Sequence, residues 1–439
     1  MDYHSDCPTF ALSISPLSTS SPSSLRLAVG SYNEQRVSSA VASASGSGAG
    51  AGYHNNFTVC ALSPSVLDLE DDSASDSSTA VRSRSTRQRV PPQPAFQAVA
   101  RAPLLYPPSA VQFAPARLSS SLAAGAGGQG TGEAREVVAT SSECLRLWDC
   151  VSEPDDGSAG RAQGGYVGSG GGSGARSKLV SRATLQNSKA DFSAPLTSFS
   201  WSLLKPTQIV TSSIDTTCTV WDISTGVPVT QLIAHDKEVY DVAWSPASQE
   251  VFTSVGADGS VRMFDLRSLE HSTILYEASP ASASSSASSS KRNGASPTPT
   301  SAAPAPPLLR VAFSPTSPSY LSVVHADSPD VQILDVRAPG TPAFVVQGHK
   351  AAVNGMAWGG ETMQGGGGET SGPGWLATVS DDATLLLWDL CSSTPPAPAS
   401  RGVPQQPKAV ATAPLAYTAP SEINAVAWGG GGDWVSVGV

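Results

Sequence analysis

An all-β fold built from one repeated sheet is what this sequence predicts, and three observations predict it. Short strands ending in an aromatic or large apolar residue and an aspartate recur along the chain: LRLWD (145–149), CTVWD (218–222), VRMFD (261–265), VQILD (331–335) and LLLWD (385–389). A second strand type recurs ahead of them, LTSFSW (196–201), VYDVAW (239–244), LLRVAF (308–313), VNGMAW (353–358) and INAVAW (423–428). Where the spacing is cleanest, from Asp222 to Asp265, the repeat is 43 residues long, the length of one four-stranded blade of a propeller.

Taken in order, each unit runs from the aromatic-ending strand through a Ser/Thr-rich strand to the Trp-Asp strand. The middle member reads IVTSSID (209–215), VFTSVGAD (251–258) or LATVSDD (376–382). Period-two alternation and short Gly/Asp/Ser turns mark these segments as strands. The longer units owe their excess to low-complexity inserts at 157–176, 278–306 and 359–374. These carry too few apolar residues to bury and are expected to be disordered loops outside the sheets. The glycine run within 164–174 follows no strand and opens no helix, so it is not a phosphate loop.

Composition narrows the function. The chain has 439 residues, of which only 14% are charged, and its formal charge is −10. That balance argues against a nucleic-acid surface, which needs dense Lys and Arg to displace counterions. Cys7, Cys60, Cys144, Cys150, Cys218 and Cys391 are scattered without a C-x-x-C pair, which fits neither a zinc framework nor a disulfide scaffold. The start, MDYHSDCPTF, is acidic where a signal peptide is basic. No stretch approaches the roughly 18 apolar residues of a membrane span. The expectation is a soluble protein of the cytoplasm and nucleus.

The histidines and aspartates pose the chemical question. In three units an aspartate precedes the aromatic by six positions: Asp215 to Trp221, Asp258 to Phe264, Asp382 to Trp388. Two of these units carry an upstream histidine, His235 and His349. The arrangement resembles the hydrogen-bond relay of WD repeats, in which His, Ser/Thr, Asp and Trp tie adjacent strands together. The sets are His235, Ser254, Asp258 and Phe264, and His349, Thr378, Asp382 and Trp388; Phe264 has no donor, so the first is incomplete. These residues are read as framework. Asp381 and Asp382 alternate across a turn, so their carboxylates diverge. No nucleophile elbow, metal-ligand cluster or phosphate loop is present, and no catalytic residue, cofactor or metal is expected.

Three stretches narrow the resemblance further. SSIDTTCTVWD (212–222), TQLIAHDKEVYDVAWS (230–245) and SVGADGSVRMFDLRSLEHSTILYE (254–277) resemble the Transparent Testa Glabra-type WD-repeat proteins. That family includes plant regulators of pigment and hair fate, and a related animal kinase scaffold that is cullin-associated. NSKADFSAPLTSFSW (187–201) and EINAVAW (422–428) are similar to it as well. The resemblance implies one seven-bladed WD-repeat β-propeller over residues 8–439. Its blades end near Leu62, Cys150, Gly226, Leu269, Pro339 and Cys391, and a seventh begins near Leu415. The family pattern continues with a further Trp-Asp-type strand that this sequence lacks, so the last blade is expected to be truncated and ring closure to be affected. Ser142 in blade 2 and Leu334 in blade 5 stand where the turn Asp and the Trp are usual.

A propeller offers a rigid ring with loop-borne surfaces and no obligatory chemistry. The resemblance implies a scaffold for regulatory complexes, with basic helix-loop-helix and MYB regulators or dual-specificity kinases as partners. Its alternative is a substrate receptor of a cullin-type ubiquitin ligase. Partner contacts are expected on the face where the first strands begin, at Thr197, Tyr240, Asn354 and Asn424. Arg267 and Arg337 complete Asp-x-Arg boxes that resemble the adaptor-binding box of cullin-associated WD-repeat proteins; pairing with a neighbouring acid is the alternative reading for both. VRSRSTRQR (81–89) reads either as a nuclear-import signal or as a solvated loop, and Ser296 and Thr298 precede prolines, either as proline-directed phosphorylation sites or by chance.

Overall fold

A four-stranded sheet with two apolar faces must bury both, and a ring of such sheets does so by stacking each against its neighbours. The computed structural model describes residues 8–18, 25–32, 55–62, 96–116, 118, 136–152, 177–186, 194–278, 304–359, 372–391, 393, 406–429 and 435–439. The insert 157–176, the arginine-rich 81–89 and the proline-flanked Ser296 and Thr298 lie outside the described residues. So do most of 278–306 and 359–374.

The described strands form seven sheets whose neighbours are antiparallel except for one pair in blade 5. Blade 1 comprises Thr9–Ile14, Arg26–Ser31, Asn55–Leu62 and Phe96–Leu104. Blade 2 comprises Ala110–Phe113, Glu136–Ser141, Leu145–Ser152 and Ser177–Leu185. Blade 3 comprises Leu196–Trp201, Gln208–Ser213, Thr217–Asp222 and Val227–Ile233, and blade 4 Val239–Trp244, Val251–Gly256, Ser260–Asp265 and Thr273–Glu277. In blade 5, Leu308–Phe313, Tyr320–His325, Asp330–Asp335 and Phe344–Gln347 are joined by a fifth strand, Lys408–Val410. Blade 6 has Val353–Trp358, Trp375–Ser380, Thr384–Asp389 and Leu415–Thr418; the seventh sheet pairs Ala425–Trp428 with Val435–Gly438.

All six expected blade ends fall one strand short, because Phe96–Leu104, Ser177–Leu185, Val227–Ile233, Thr273–Glu277, Phe344–Gln347 and Leu415–Thr418 each pair with the third strand before them. Leu415 does not open blade 7, because Leu415–Thr418 pairs antiparallel with Thr384–Asp389 as the outer strand of blade 6. Phe96–Leu104 likewise belongs to blade 1, paired with Asn55–Leu62, and not to the unit ending at Cys150. The reason is common to all six: the outer strand follows the third strand in the chain and hydrogen-bonds to it, however long the loop between them. The ring also closes at its inner strands, since Ala425–Trp428 packs against Thr9–Ile14 and Ala427 joins the cluster of Ile14, Leu25 and Leu27.

No single centre holds the core. Each gap between neighbouring blades has its own apolar cluster. Between blades 5 and 6, for example, Tyr320, Ile333 and Phe344 meet Trp358, Leu376 and Trp388. Between blades 3 and 4, Val220 and Cys218 meet Trp244 and Phe252. Side chains of one inner strand also bridge to the next. Ser13 Oγ accepts from Phe113 N–H (3.2 Å), Gln112 Oε1 from Trp201 N–H (3.3 Å), Ser200 Oγ from Trp244 N–H (2.9 Å) and Asp241 Oδ2 from Val311 N–H (3.0 Å). Each satisfies a backbone donor that has no strand beside it on the inner edge.

The upper rim, where the inner strands begin, carries the turns between second and third strands. In four blades one residue of this turn is left-handed: Thr216 (φ 72°), Gly259 (76°), Asp327 (57°) and Ala383 (61°). Only blade 4 uses glycine. An L side chain there costs about 1–2 kcal/mol, offset in part by the greater backbone entropy glycine loses on folding. Ala383→Gly is expected to raise stability by about 0.5–1 kcal/mol in reversible denaturation; an unchanged or lower midpoint would show that the turn is not strained.

Candidate interaction surfaces and the buried relays

The complete relay is in blade 6. The Trp388 indole N–H donates to Thr378 Oγ1 (2.9 Å), which lies 2.7 Å from His349 Nε2; His349 Nδ1 faces Asp382 Oδ2 at 3.1 Å. One assignment uses every donor: Thr378 O–H donates to Nε2, and Nδ1–H donates to the carboxylate. His349 is then neutral, and burial does push its pKa below the ordinary value. Burial opposes the charge on Asp382, but bonds from Thr384 O–H, Lys350 N–H and His349 outweigh it and hold the carboxyl at about 2.

Blade 4 repeats this chain without its first donor. His235 Nε2 lies 2.7 Å from Ser254 Oγ, and Nδ1 lies 3.0 Å from Asp258 Oδ1. Phe264 stacks on Phe252 with ring centroids 5.1 Å apart. Ser254 is also hydrogen-bonded to the Cys218 thiol of blade 3, whose pKa burial pushes up to about 12. Blades 2 and 3 keep the indole bond alone, Trp148 to Thr140 (2.9 Å) and Trp221 to Thr211 (3.0 Å). Blade 5 has apolar Val323 and Leu334, both fully buried, where blade 6 has Thr378 and Trp388. Its Ser322 instead accepts from the indole of Trp358 in blade 6 at 2.9 Å.

Ser254, His235 and Asp258 have the connectivity of a nucleophile, base and orienting acid. Access decides against that use: Ser254 is 0% exposed and His235 1%, so no substrate reaches the hydroxyl. Among the described residues no group of three or more His, Cys, Asp or Glu is placed to hold a metal ion. Asp381 and Asp382 separate, the first to Asn354 Nδ2 (2.5 Å) and the second to His349.

The upper-face residues divide. Thr197 O–H donates to Val239 C=O of blade 4 at 2.7 Å, and Asn354 Nδ2 donates to Ile423 C=O at 3.1 Å, so both staple one blade to the next. Tyr240 and Asn424 are half-buried on the same strand positions. Arg267 and Arg337 lie at the opposite, lower rim, where the third strands end. Each is forked onto its own box: Arg267 Nε and Nη2 reach Asp265 at 2.9 and 2.5 Å, and Arg337 Nε and Nη2 reach Asp335 at 2.8 and 2.7 Å. Arg337 also lies over the Tyr320 ring, 5.4 Å from its centroid. Their side chains remain 70% and 60% exposed, so the carboxylates orient both guanidinium groups and leave their outer edges to solvent.

Sequence reasoning missed three features. Asp241 is buried on an inner strand, its pKa raised by desolvation, beside Arg310 and Ser198; an acid inside the VYDVAW alternation was the available signal. His325 is buried against Tyr276, whose O–H lies 3.2 Å from Nε2, and burial lowers its pKa to about 4. Glu136, 5% exposed, joins blade 2 to blade 1 through Arg26 (2.7 Å) and Ser15; nothing in the spacing marks it. A cavity of about 410 Å³ opens at the lower rim, lined by Leu12, Ile14, Phe113, Phe199, Leu203 and Trp428 among others.

Two of the depressed pKa values define separate pH windows. Asp382 titrates near 2 folded and near 3.8 unfolded, so its stabilisation is present above about pH 4 and is lost as pH falls toward 2. His325 titrates near 4 folded and near 6.5 unfolded, so its neutral form stabilises the fold above about pH 6.5, and that contribution is lost as pH falls toward 4. Asp382→Asn is expected to cost about 2 kcal/mol at neutral pH and to reduce the fall of the denaturation midpoint between pH 4 and 2, where Asp258 and Asp265 also titrate below the usual carboxylate range. His325→Gln is expected to flatten the midpoint between pH 6.5 and 4. A midpoint that follows the parent's pH profile in either variant would remove that residue from the account.

Residues 226–265 and 340–389 match the family model described as WD domain, G-beta repeat. A DDB1- and CUL4-associated factor 7 homolog of Dictyostelium discoideum is 37% identical over 303 residues, 69% of this chain and 72% of that protein. An uncharacterized WD repeat-containing protein of Schizosaccharomyces pombe is 40% identical over 267 residues, 60% of this chain and 52% of the relative. A WD repeat-containing protein of Saccharomyces cerevisiae is 42% identical over 200 residues, 45% and 35% of the two chains. The chain thus spans about half the length of the first yeast relative and about a third of the second. Of these three relatives only the Dictyostelium protein is named as a cullin-associated factor, the side of the resemblance that includes the animal member, and none is named as Transparent Testa Glabra type, so the plant branch suggested by the motifs is not supported. By its repeats, its propeller and this identity, the chain belongs to the WD-repeat family of the DDB1- and CUL4-associated factor 7 homolog.

Proposed function

We propose that this propeller is a non-catalytic scaffold that assembles regulatory protein complexes in the cytoplasm and nucleus. One observation carries the reading: the only Ser-His-Asp connectivity described is sealed inside a blade, with Ser254 0% exposed. The side chains left to solvent serve recognition. Tyr240 is the anchor on the upper face, because interfaces draw much of their energy from buried aromatics. Its partners by resemblance are helix-loop-helix or MYB-type regulators, or dual-specificity kinases.

A second reading is favoured by Arg267 and Arg337 on adjacent blades. Their exposed guanidinium edges are oriented for carboxylate or carbonyl groups, and the Dictyostelium relative carries the name of a cullin-associated factor. On that reading the lower rim meets a ligase adaptor and the propeller presents substrates.

The two readings separate by substitution. Tyr240→Ala is expected to weaken kinase or transcription-factor capture by about 2 kcal/mol while adaptor capture persists. Arg267→Ala combined with Arg337→Ala is expected to abolish adaptor co-precipitation while the upper-face partners remain. Unchanged capture by the folded Tyr240→Ala protein would move the scaffold site elsewhere; adaptor binding that survives the arginine pair, or never occurs, would leave those residues structural.

A further inference from the structure

Between the third and fourth strands of blade 6 the chain makes a detour. After Asp389 it lays Lys408–Val410 along the outer edge of blade 5, parallel to Phe344–Gln347, and then returns to blade 6 as Leu415–Thr418. The register pairs Phe344 with Lys408, Val345 with Ala409 and Val346 with Val410; Lys408 N–H donates to Ala343 C=O at 3.1 Å. Among the described strands this is the only parallel pair and the only fifth strand.

The added strand is a poor permanent tenant. It pairs over three residues, and Pro407 and Pro414 bracket it. Proline has no N–H to donate, so neither end readily lengthens the ladder. Lys408 and Ala409 are exposed; the hold on the core is through Val410 and Ala413, which pack partly buried on the cluster shared by blades 5 and 6. The edge beneath is well made, with Phe344 0% and Val346 2% exposed. A tethered strand this short stays seated chiefly because its own chain keeps it nearby.

We propose that the outer edge of blade 5 is a strand-addition site, closed in cis by Lys408–Val410 and opened by exchange. Its occupant is an extended, proline-free partner segment that runs parallel to Phe344–Gln347. It places a β-branched apolar residue where Val410 sits, and its longer ladder, made of main-chain hydrogen bonds, supplies the affinity. This surface is on a different blade from Tyr240 and Arg267 and on the strand next to the Asp335–Arg337 box, whose Tyr320 packs against Phe344, and the proposal holds whichever reading of function is correct.

The test uses the full chain. Lys408→Pro removes the donor to Ala343, and Val410→Asp ejects the packed side chain; combined, they open the edge. The probe is a labelled synthetic peptide of residues 405–413 carrying Pro407→Val, which leaves it free of proline. The opened variant is expected to bind this peptide at least ten-fold more tightly than the parent. Amide exchange at residues 344–347 should rise in the variant and fall again with peptide bound. Equal affinity for both proteins, or binding that leaves exchange at 344–347 unchanged, would overturn the proposal. So would a variant whose edge is closed by a second copy, seen as a dimer by size-exclusion chromatography that excludes the peptide. Thermal melting controls the fold. If the double variant does not fold, Val410→Asp alone is put through the same comparison, with the same two outcomes deciding.

Discussion

The innermost strand of every blade is an edge strand, and everything else in the ring answers to that fact. An edge strand leaves backbone donors and acceptors without a partner, and burying them unpaired costs more than most contacts return. Here the neighbouring blade supplies the partners. Ser13, Gln112, Ser200 and Asp241 accept from backbone N–H groups of the next inner strand, while Thr197 and Asn354 donate to its carbonyls. The polar residues that interrupt the apolar alternation of the inner strands are therefore the joints of the ring. Asp241 is the extreme case: a buried carboxyl is retained because two backbone N–H groups, Ser198 and Arg310 surround it.

The relays show how polar pairs are kept or discarded together. Blade 6 keeps Trp388, Thr378, His349 and Asp382 in one unbroken sequence of donors and acceptors. Blade 5 has lost both hydrogen-bonding members at once, as Val323 and Leu334, so no orphan hydroxyl remains. Blade 4 lost only the indole, and Ser254 remains bonded to His235 and Cys218 while Phe264 takes up stacking on Phe252. A half-kept network is costly, and each blade here avoids one by a different substitution.

Much of this was legible in the sequence because the signals are local. A Trp-Asp strand, a turn aspartate six positions earlier and an upstream histidine fit within one unit, so Asp258, Asp382, His235 and His349 could be placed on it. Outer strands were placed in the following unit throughout, with or without an insert, because the Trp-Asp pair marks the end of the third strand and the fourth has no signature of its own, as at Val227 and Leu415. The fifth strand of blade 5 was invisible, since KAV between prolines has no strand pattern of its own and pairs with residues some sixty positions away. Inter-blade groups such as Glu136 and Asp241 escaped for the same reason. Their partners, Arg26 and Val311, are distant in the chain, and periodicity says nothing about distant pairs.

Trp358 couples blade 6 to blade 5 by a hydrogen bond as well as by packing. Blades 2, 3 and 6 satisfy the indole of the Trp-Asp strand within the same sheet, whereas the Trp358 indole leaves blade 6 to bond Ser322 and the Ala312 carbonyl of blade 5. In repeat architectures, stability divides into what each unit holds alone and what each interface adds. At this interface the second share is enlarged, because opening blade 6 strips the indole donor from Ser322, whose side chain is 0% exposed. Local opening of blade 6 therefore carries a cost in blade 5 as well, beyond the loss of the apolar contacts between them.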